Sequence, residues 1–155
     1  MATAEQRLAE LGLELPAPPG AVAAYEPWVR VGSMIYTSGQ LPWRDGKTLL
    51  FKGRIGGELT VEQGYEACKL ATLNAISQLK AATGDLERVK RIVRIEGSLN
   101  VAPGTGDTTP KVLNGASELV NAVFGERGRH TRMIYTSADM PLDTACLIVF
   151  WAEVE

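Results

Sequence analysis

The segment from Thr144 to Glu153 constrains the architecture most, because it is apolar on both of its faces. Successive residues of a β-strand point to opposite sides of the sheet. A strand that is apolar on both sides needs a covering layer on each side. One face carries Ala145, Leu147, Val149 and Trp151, and the other carries Cys146, Ile148 and Phe150. The segment therefore predicts a strand in the interior of a sheet that is covered above and below.

Two other segments have the end signals of amphipathic helices. The first can begin at Thr60, where Gln63 completes a capping box, and it ends at Gly84. The second opens with Thr109 as its cap and Pro110 at the first helical position, where proline loses no intrahelical hydrogen bond. Apolar residues recur at helical spacing in both segments, so each predicts a helix with one buried face.

The remaining β-rich segments flank these helices. They are a hairpin within Tyr25–Leu41, a short run at 49–51, and strands from Val89 to Val101 and from Arg132 to Ala138. The order of strand pair, helix, strand, helix and strand pair predicts an α+β domain with both long helices packed on one face of a sheet. Because only two long helices are available, the second face of the last strand is most simply covered by another subunit. We therefore predict an oligomer.

The length of 155 residues fits one domain. Residues 1–20 are predicted to form an N-terminal helix and a Pro-rich linker that precede a domain over residues 21–155. The linker, Leu15–Gly20, cannot be a regular helix or a central strand, because proline has no backbone N–H to donate.

Composition excludes several classes of function. A net charge of −2 disfavours nucleic-acid binding, which needs a basic face. Cys68 and Cys146 lie in apolar segments and are interpreted as buried thiols, and the single histidine, His130, cannot supply a His-rich metal site. We expect no metal and no cofactor. No apolar run reaches the length of a membrane span, and the N-terminus lacks signal-peptide features, so the expected location is the cytoplasm.

Three short segments contain side chains that could bind a ligand. Ser38 and Gly39 end a predicted strand, where a glycine allows close approach of the backbone; the alternative is an ordinary strand end with a turn. Arg132 opens a strand with a guanidinium that matches a carboxylate, or it is a solvated basic residue. Asn114 lies beside the apolar stripe of the second helix, and His130 is a candidate acid or base.

Together these residues resemble the YjgF/RidA family, in its longer branch. The resemblance extends from about Tyr25 to Val154 and depends on the phrase Thr37–Pro42, on the helix that contains Asn114, and on Arg132 nine residues before Pro141. It implies a chorismate-mutase-like α+β fold with a mixed sheet, and a homotrimer with ligand clefts between adjacent subunits. The best-known members are enamine/imine deaminases.

The resemblance also implies roles for individual residues. Arg132 would bind the carboxylate of a small ligand, Ser38 and Gly39 would line the pocket, and Asn114 would lie nearby. Tyr25 lies near the family's pocket tyrosine, although its surroundings, Tyr25-Glu-Pro-Trp28, depart from the usual order.

A larger departure occurs six residues after Pro141. Deaminating members carry a glutamate there to position the attacking water, whereas this chain has Leu147. Leucine can neither activate water nor transfer a proton. Any hydrolysis would need another base, and the candidates by residue type are Glu96, Glu153 and His130.

Two functions therefore stay open. One is hydrolysis of an enamine or imine of the 2-iminobutanoate or 2-iminopropanoate type, with Arg132 holding the carboxylate while water attacks the C=N carbon. The other is a non-catalytic module that binds or senses a small carboxylate metabolite. A ribonuclease activity, as in the "endoribonuclease L-PSP" name of some relatives, is disfavoured by the acidic balance of the chain.

Overall fold

The computed structural model describes all 155 residues and contains a five-stranded mixed sheet with the two long helices on one face. The strands run in the order β1–β2–β5–β3–β4, with β3 and β4 parallel and all other neighbours antiparallel. The helices are α1 (Ala4–Glu10), α2 (Val61–Thr83) and α3 (Thr109–Phe124), and the strands are β1 (Trp28–Val31), β2 (Met34–Thr37), β3 (Val89–Asn100), β4 (Thr131–Ser137) and β5 (Cys146–Val154). The predicted α+β class and chorismate-mutase-like arrangement are confirmed.

The ends of α2 follow from its sequence. The Thr60 hydroxyl accepts from the Gln63 backbone N–H at 3.1 Å, and the Gln63 side-chain oxygen accepts from the Thr60 backbone N–H at 2.9 Å. Gly84 ends the helix with a φ of +78°, a conformation that glycine adopts without a side-chain clash. The predicted capping box and end are confirmed.

The start of α3 differs by one residue from the prediction. The N-cap is Thr108, and Thr109 is already helical. The Thr109 hydroxyl donates to the Gly106 carbonyl at 2.7 Å, so it satisfies the preceding turn and does not cap the helix. Pro110 remains in the first turn, as its fixed φ favours.

The short strand predicted at 49–51 does not form. Leu49 makes one isolated bridge to Trp43, and Leu50 donates its N–H to the Pro42 carbonyl at 3.0 Å. Pro42 has no N–H to return, so the ladder cannot continue past it.

The side chains of β5 alternate between two environments. Those on the helix side, Cys146, Ile148, Phe150 and Ala152, are completely buried, and α2 packs against this side of the strand. Those on the other side are only half buried, because no element of the chain covers them. We call this second side of the sheet the open face; its apolar residues are Val29, Val31, Met34, Tyr36, Met133, Tyr135, Leu147, Val149 and Trp151.

The N-terminal helix packs on the same core. Ala4 and Leu8 are buried in it, and the Thr3 hydroxyl caps α1 with Gln6 completing the capping box. The division of the chain after residue 20 remains a prediction. No helix of the structure combines the length and the apolar character needed to cross a membrane.

Candidate functional site

Arg132 lies on β4, beside Ile95 of β3. Ile95 belongs to the core beneath the helices, so Arg132 points to the helix side of the sheet, where α3 passes over it. Its Nη1 donates to Asn114 Oδ1 at 2.9 Å and to Ser117 Oγ at 3.1 Å, and its Nη2 donates to the Pro110 carbonyl at 3.3 Å. Arg132 is therefore a half-buried, anchored residue, and its interpretation as a solvated strand end is wrong.

The sequence of α3 explains this anchoring. Positions 110, 114 and 117 are four and three residues apart, a spacing that places side chains on one face of a helix. That face holds one side of the guanidinium. Arginine has five N–H donors, and three of them are used by these bonds. The Nε–H and one Nη2 hydrogen of Arg132 have no acceptor within the chain, and Nε and Nη2 share one edge of the planar group.

His130 is joined to Arg132 through Ser117. Its Nδ1 lies 2.5 Å from the Gly128 carbonyl, and its Nε2 lies 2.9 Å from Ser117 Oγ. A carbonyl can only accept, so Nδ1 carries the proton and Nε2 accepts from the Ser117 hydroxyl. The same hydroxyl oxygen accepts from Arg132. The three side chains thus form a continuous hydrogen-bonded chain from imidazole to guanidinium.

The protonation state of His130 agrees with this pattern. Burial lowers the pKa of His130 below its usual 6.5, and the positive charge of Arg132 lowers it further. The hydrogen bond to the Gly128 carbonyl opposes both effects without overcoming them. The imidazole is therefore neutral at pH 7. We call Arg132, Asn114, Ser117 and His130 the arginine cluster.

Ser117 is the member of the cluster that the sequence analysis missed. Its spacing from Asn114 is a signal that it shares the same helix face. Every interior residue of a helix has a neighbour at that spacing, so the spacing alone does not distinguish Ser117. Only the approach of β4 to α3 reveals its role.

Tyr25, Ser38 and Gly39 lie elsewhere. The Ser38 hydroxyl donates to the Glu26 carbonyl at 2.5 Å, and Tyr25 and Gly39 line the same small recess. A Cβ built on Gly39 would lie 3.4 Å from Cδ2 of Leu147. Leu147 therefore forms an apolar wall beside Gly39. We call Tyr25, Ser38 and Gly39 the Ser38 arm.

Within one chain the arginine cluster and the Ser38 arm are apart. The arm follows β2 and the cluster extends from β4, with β5 and β3 between them. Three strand spacings amount to about 14 Å. In addition, Arg132 lies on the helix side, whereas Leu147, against which Gly39 packs, lies on the open face. The structure brings Arg132 to Asn114, and Gly39 to Tyr25 and Leu147, without joining the two groups.

The candidate bases are also separated. Glu96 lies on the open face and pairs with Arg94 at 3.1 Å. Glu153 lies on the same face and pairs with Lys90 at 3.8 Å. Neither carboxylate faces Arg132. Among the three candidates, His130 alone lies in the arginine cluster.

Several known proteins are similar to this chain in both fold and amino-acid sequence. Residues 5–154 match the model of a family described as "YjgF/chorismate mutase-like, putative endoribonuclease". A solved structure from Shewanella oneidensis MR-1, described as a "putative endoribonuclease", is 51% identical with a TM-score of 0.95, over 99% of this chain and 100% of that one. The structure of Atu1372 from Agrobacterium tumefaciens is 34% identical with a TM-score of 0.91, over 98% and 92% of the two chains.

A protein of Trypanosoma cruzi is also similar to this chain in sequence. Protein TCP17 from Trypanosoma cruzi is 39% identical over 139 residues, which are 89% of this chain and 86% of that protein. The family match spans nearly the whole chain, and these relatives align with it over most of their own length. The chain therefore belongs to the YjgF/chorismate mutase-like family.

Proposed function

We propose that this protein binds a small carboxylate at the Nε and Nη2 edge of Arg132. One observation supports this most: the bonds to Asn114, Ser117 and Pro110 use Nη1 and one hydrogen of Nη2, and they leave the Nε–H and the other Nη2 hydrogen without an acceptor in the chain. Two parallel N–H donors are the arrangement that matches the two oxygens of a carboxylate.

The anchoring of Arg132 favours affinity. A free arginine side chain loses conformational entropy when it orders around a ligand. Here the bonds to Asn114, Ser117 and Pro110 have already fixed the guanidinium, so binding orders little more. Half-burial also lowers the local dielectric constant, which strengthens the attraction between the guanidinium and an anion.

We further propose that the chain forms a homotrimer in which the Ser38 arm of one copy faces the arginine cluster of the next. The open face supports association, because Val29, Val31, Met133 and Tyr135 remain between 45% and 65% exposed on it. β4 is also an edge strand with one unpaired side. The apolar wall at Leu147 and Gly39 would then face the part of the ligand that is not charged.

Imine hydrolysis is the second candidate, because the neutral imidazole of His130 accepts from the Ser117 hydroxyl and could take up a proton from water only through that hydroxyl. A 2-imino acid carries the same carboxylate and would occupy the same edge of Arg132. Leu147 stands where deaminating relatives have a glutamate that positions water, and leucine cannot take that role. Ligand binding is therefore the function that we favour over hydrolysis.

Isothermal titration calorimetry with pyruvate and 2-oxobutanoate tests the binding proposal. We expect saturable binding to the wild type and affinity about 100-fold weaker or lower for Arg132→Ala, because two charge-assisted hydrogen bonds are lost. Arg132→Lys should bind weakly, since lysine is a point charge without the fork. Pyruvamide, which lacks the carboxylate, should not bind.

Arg129→Ala is the matched control, because Arg129 is a nearby exposed arginine that pairs with Glu126 at 3.5 Å. It should bind pyruvate as the wild type does. Equal affinities for the wild type and Arg132→Ala, or no heat with any 2-oxo acid, would remove the proposal. Adding an in situ generated 2-imino acid to the same proteins and following ammonia release tests the second candidate.

A further inference from the structure

We propose that Ser117 and His130 are positioning residues for Arg132, and that carboxylate binding at Arg132 is coupled to proton uptake by His130. The inference rests on the proposed carboxylate site and adds a proton to its binding equilibrium. It follows from the hydrogen-bonded chain in which Ser117 Oγ lies 2.9 Å from His130 Nε2 and 3.1 Å from Arg132 Nη1.

The hydrogen-bond roles define the positioning. Ser117 has one hydroxyl proton, and neutral His130 accepts it at Nε2. The oxygen lone pairs of Ser117 are thereby directed towards Arg132. If His130 gains a proton, Nε2 becomes a donor, and the Ser117 hydroxyl must turn to another acceptor. The orientation of the serine that holds Nη1 therefore depends on the charge of the imidazole.

Charge sets the direction of the coupling. The positive charge of Arg132 opposes protonation of His130. A carboxylate on the free edge of Arg132 would offset that charge, so it would make protonation of His130 easier. Linkage is reciprocal: if the ligand favours the protonated imidazole, then protonation favours the ligand by the same factor. Affinity for a carboxylate should therefore rise as the pH falls through the range in which His130 titrates.

Other charged groups on the elements next to His130 have hydrogen-bond or ion-pair partners of their own. On the neighbouring turn Arg129 pairs with Glu126 and Arg127 with Glu87, and on α3 Glu118 accepts from the Tyr65 hydroxyl. On β3 Arg94 pairs with Glu96, and Arg91 donates to the Arg129 carbonyl. Arg132 is the charged side chain that lowers the pKa of His130.

His130 is the only histidine of the chain, so its imidazole resonances in an NMR titration need no assignment. We expect ¹⁵N shifts of a neutral ring protonated at Nδ1, with an apparent pKa below 6.5 that rises when pyruvate is added at saturation. In Arg132→Gln, which keeps a polar side chain without charge, the pKa of free His130 should rise as well. A ring protonated at Nε2, or a pKa that Arg132→Gln leaves unchanged, would overturn the coupling.

Calorimetry with pyruvate from pH 7.5 to pH 5 gives the second readout, because the carboxyl group of pyruvate stays ionised over this range. Affinity should be about three- to tenfold higher at pH 5 than at pH 7.5, as expected for two unit charges that are separated by Ser117 and the guanidinium and are partly screened by water. His130→Gln should lose this pH dependence, and Arg129→Ala should retain it.

Ser117 variants separate positioning from charge. Ser117→Ala removes one of the acceptors that hold Nη1, so it should weaken pyruvate binding at every pH, and Ser117→Thr should restore the hydroxyl and the affinity. Pyruvate binding that is insensitive to both pH and Ser117→Ala would overturn the inference and leave the carboxylate site standing. If pyruvate fails to bind while Arg132→Gln still raises the pKa of His130, the proposed carboxylate site is wrong and so is its coupling to His130. Only the interaction between Arg132 and His130 through Ser117 would then be supported.

Discussion

The two faces of β5 have nearly the same apolar character and very different surroundings. Phe150 and Ile148 are completely buried beneath the helices, whereas Leu147 and Val149, their neighbours along the strand, are only half buried on the open face. A single chain thus covers the apolar side chains on only one side of its central strand. The uncovered side is a surface suited to the proposed contact with a second copy, so the same strand pattern that builds the core also supports the proposal of an oligomer.

The candidate ligand-binding groups are also divided between the two faces of the sheet. The arginine cluster lies on the helix side, at the β4 edge, where α3 can hold Arg132. The Ser38 arm packs on Leu147, which belongs to the open face. In the proposed trimer, a ligand that uses both groups would therefore lie between two chains.

The largest effect should come from a cavity on the helix side. Phe150→Ala should lower the free energy of unfolding by about 3–5 kcal/mol, because the surrounding core cannot collapse around the lost ring. A pair of equal size isolates the effect of burial: Ile148→Ala on the helix side should cost about 3–5 kcal/mol, whereas Leu147→Ala on the open face should cost less than about 2 kcal/mol in the monomer. Urea unfolding at protein concentrations that keep the chain monomeric measures these losses. Similar losses for Ile148→Ala and Leu147→Ala would break the comparison between the faces.

A charge on the open face should act on assembly and not on the fold. Tyr135 is 45% exposed there, so Tyr135→Glu can keep its carboxylate in water in a single chain. In an oligomer the same charge would be buried without a partner, and association should weaken at least about 30-fold. Light scattering after size exclusion reports the mass, and far-ultraviolet circular dichroism reports the fold. An unchanged oligomer would show that another surface mediates association.

The smallest effect should come from the exposed ion pair between Lys90 and Glu153. Their side chains are 55% and 41% exposed, so water screens the attraction. Lys90→Ala should change the free energy of unfolding by less than about 0.5 kcal/mol. A loss above about 1.5 kcal/mol would mean that this corner of the sheet is covered in solution by another chain.

Much of the fold could be predicted from local sequence. The capping box at Thr60 and Gln63 and the terminal Gly84 fixed α2, because these signals involve residues within one turn of each other. The two-sided apolar pattern of β5 indicated its central place. The short strand predicted at 49–51 could not be excluded from its own residues. Its absence depends on Pro42 in the opposing segment, which has no N–H to continue the hydrogen-bond ladder.

The site could be predicted only in part. Arg132 and Asn114 came from the resemblance to a family, and the structure joins them. The bond between Ser117 and His130 depends on how β4 approaches α3, which no local pattern specifies. The separation of Arg132 from Gly39 likewise follows from the strand order, with β5 inserted between β2 and β3 although it is last in sequence.

Complementation between two defective variants tests most directly whether the site is shared between copies. Arg132→Ala removes the carboxylate-binding group, and Gly39→Asp places a negative charge on the Ser38 arm, where a Cβ meets Leu147 at an ordinary contact distance. Neither variant alone should bind pyruvate. In randomly mixed oligomers about a quarter of the clefts combine an intact Arg132 from one copy with an intact Gly39 from the next. Calorimetry should therefore find about a quarter of the wild-type sites. Mixed oligomers that form, as seen by native mass spectrometry, and recover no binding would contradict a site shared between chains.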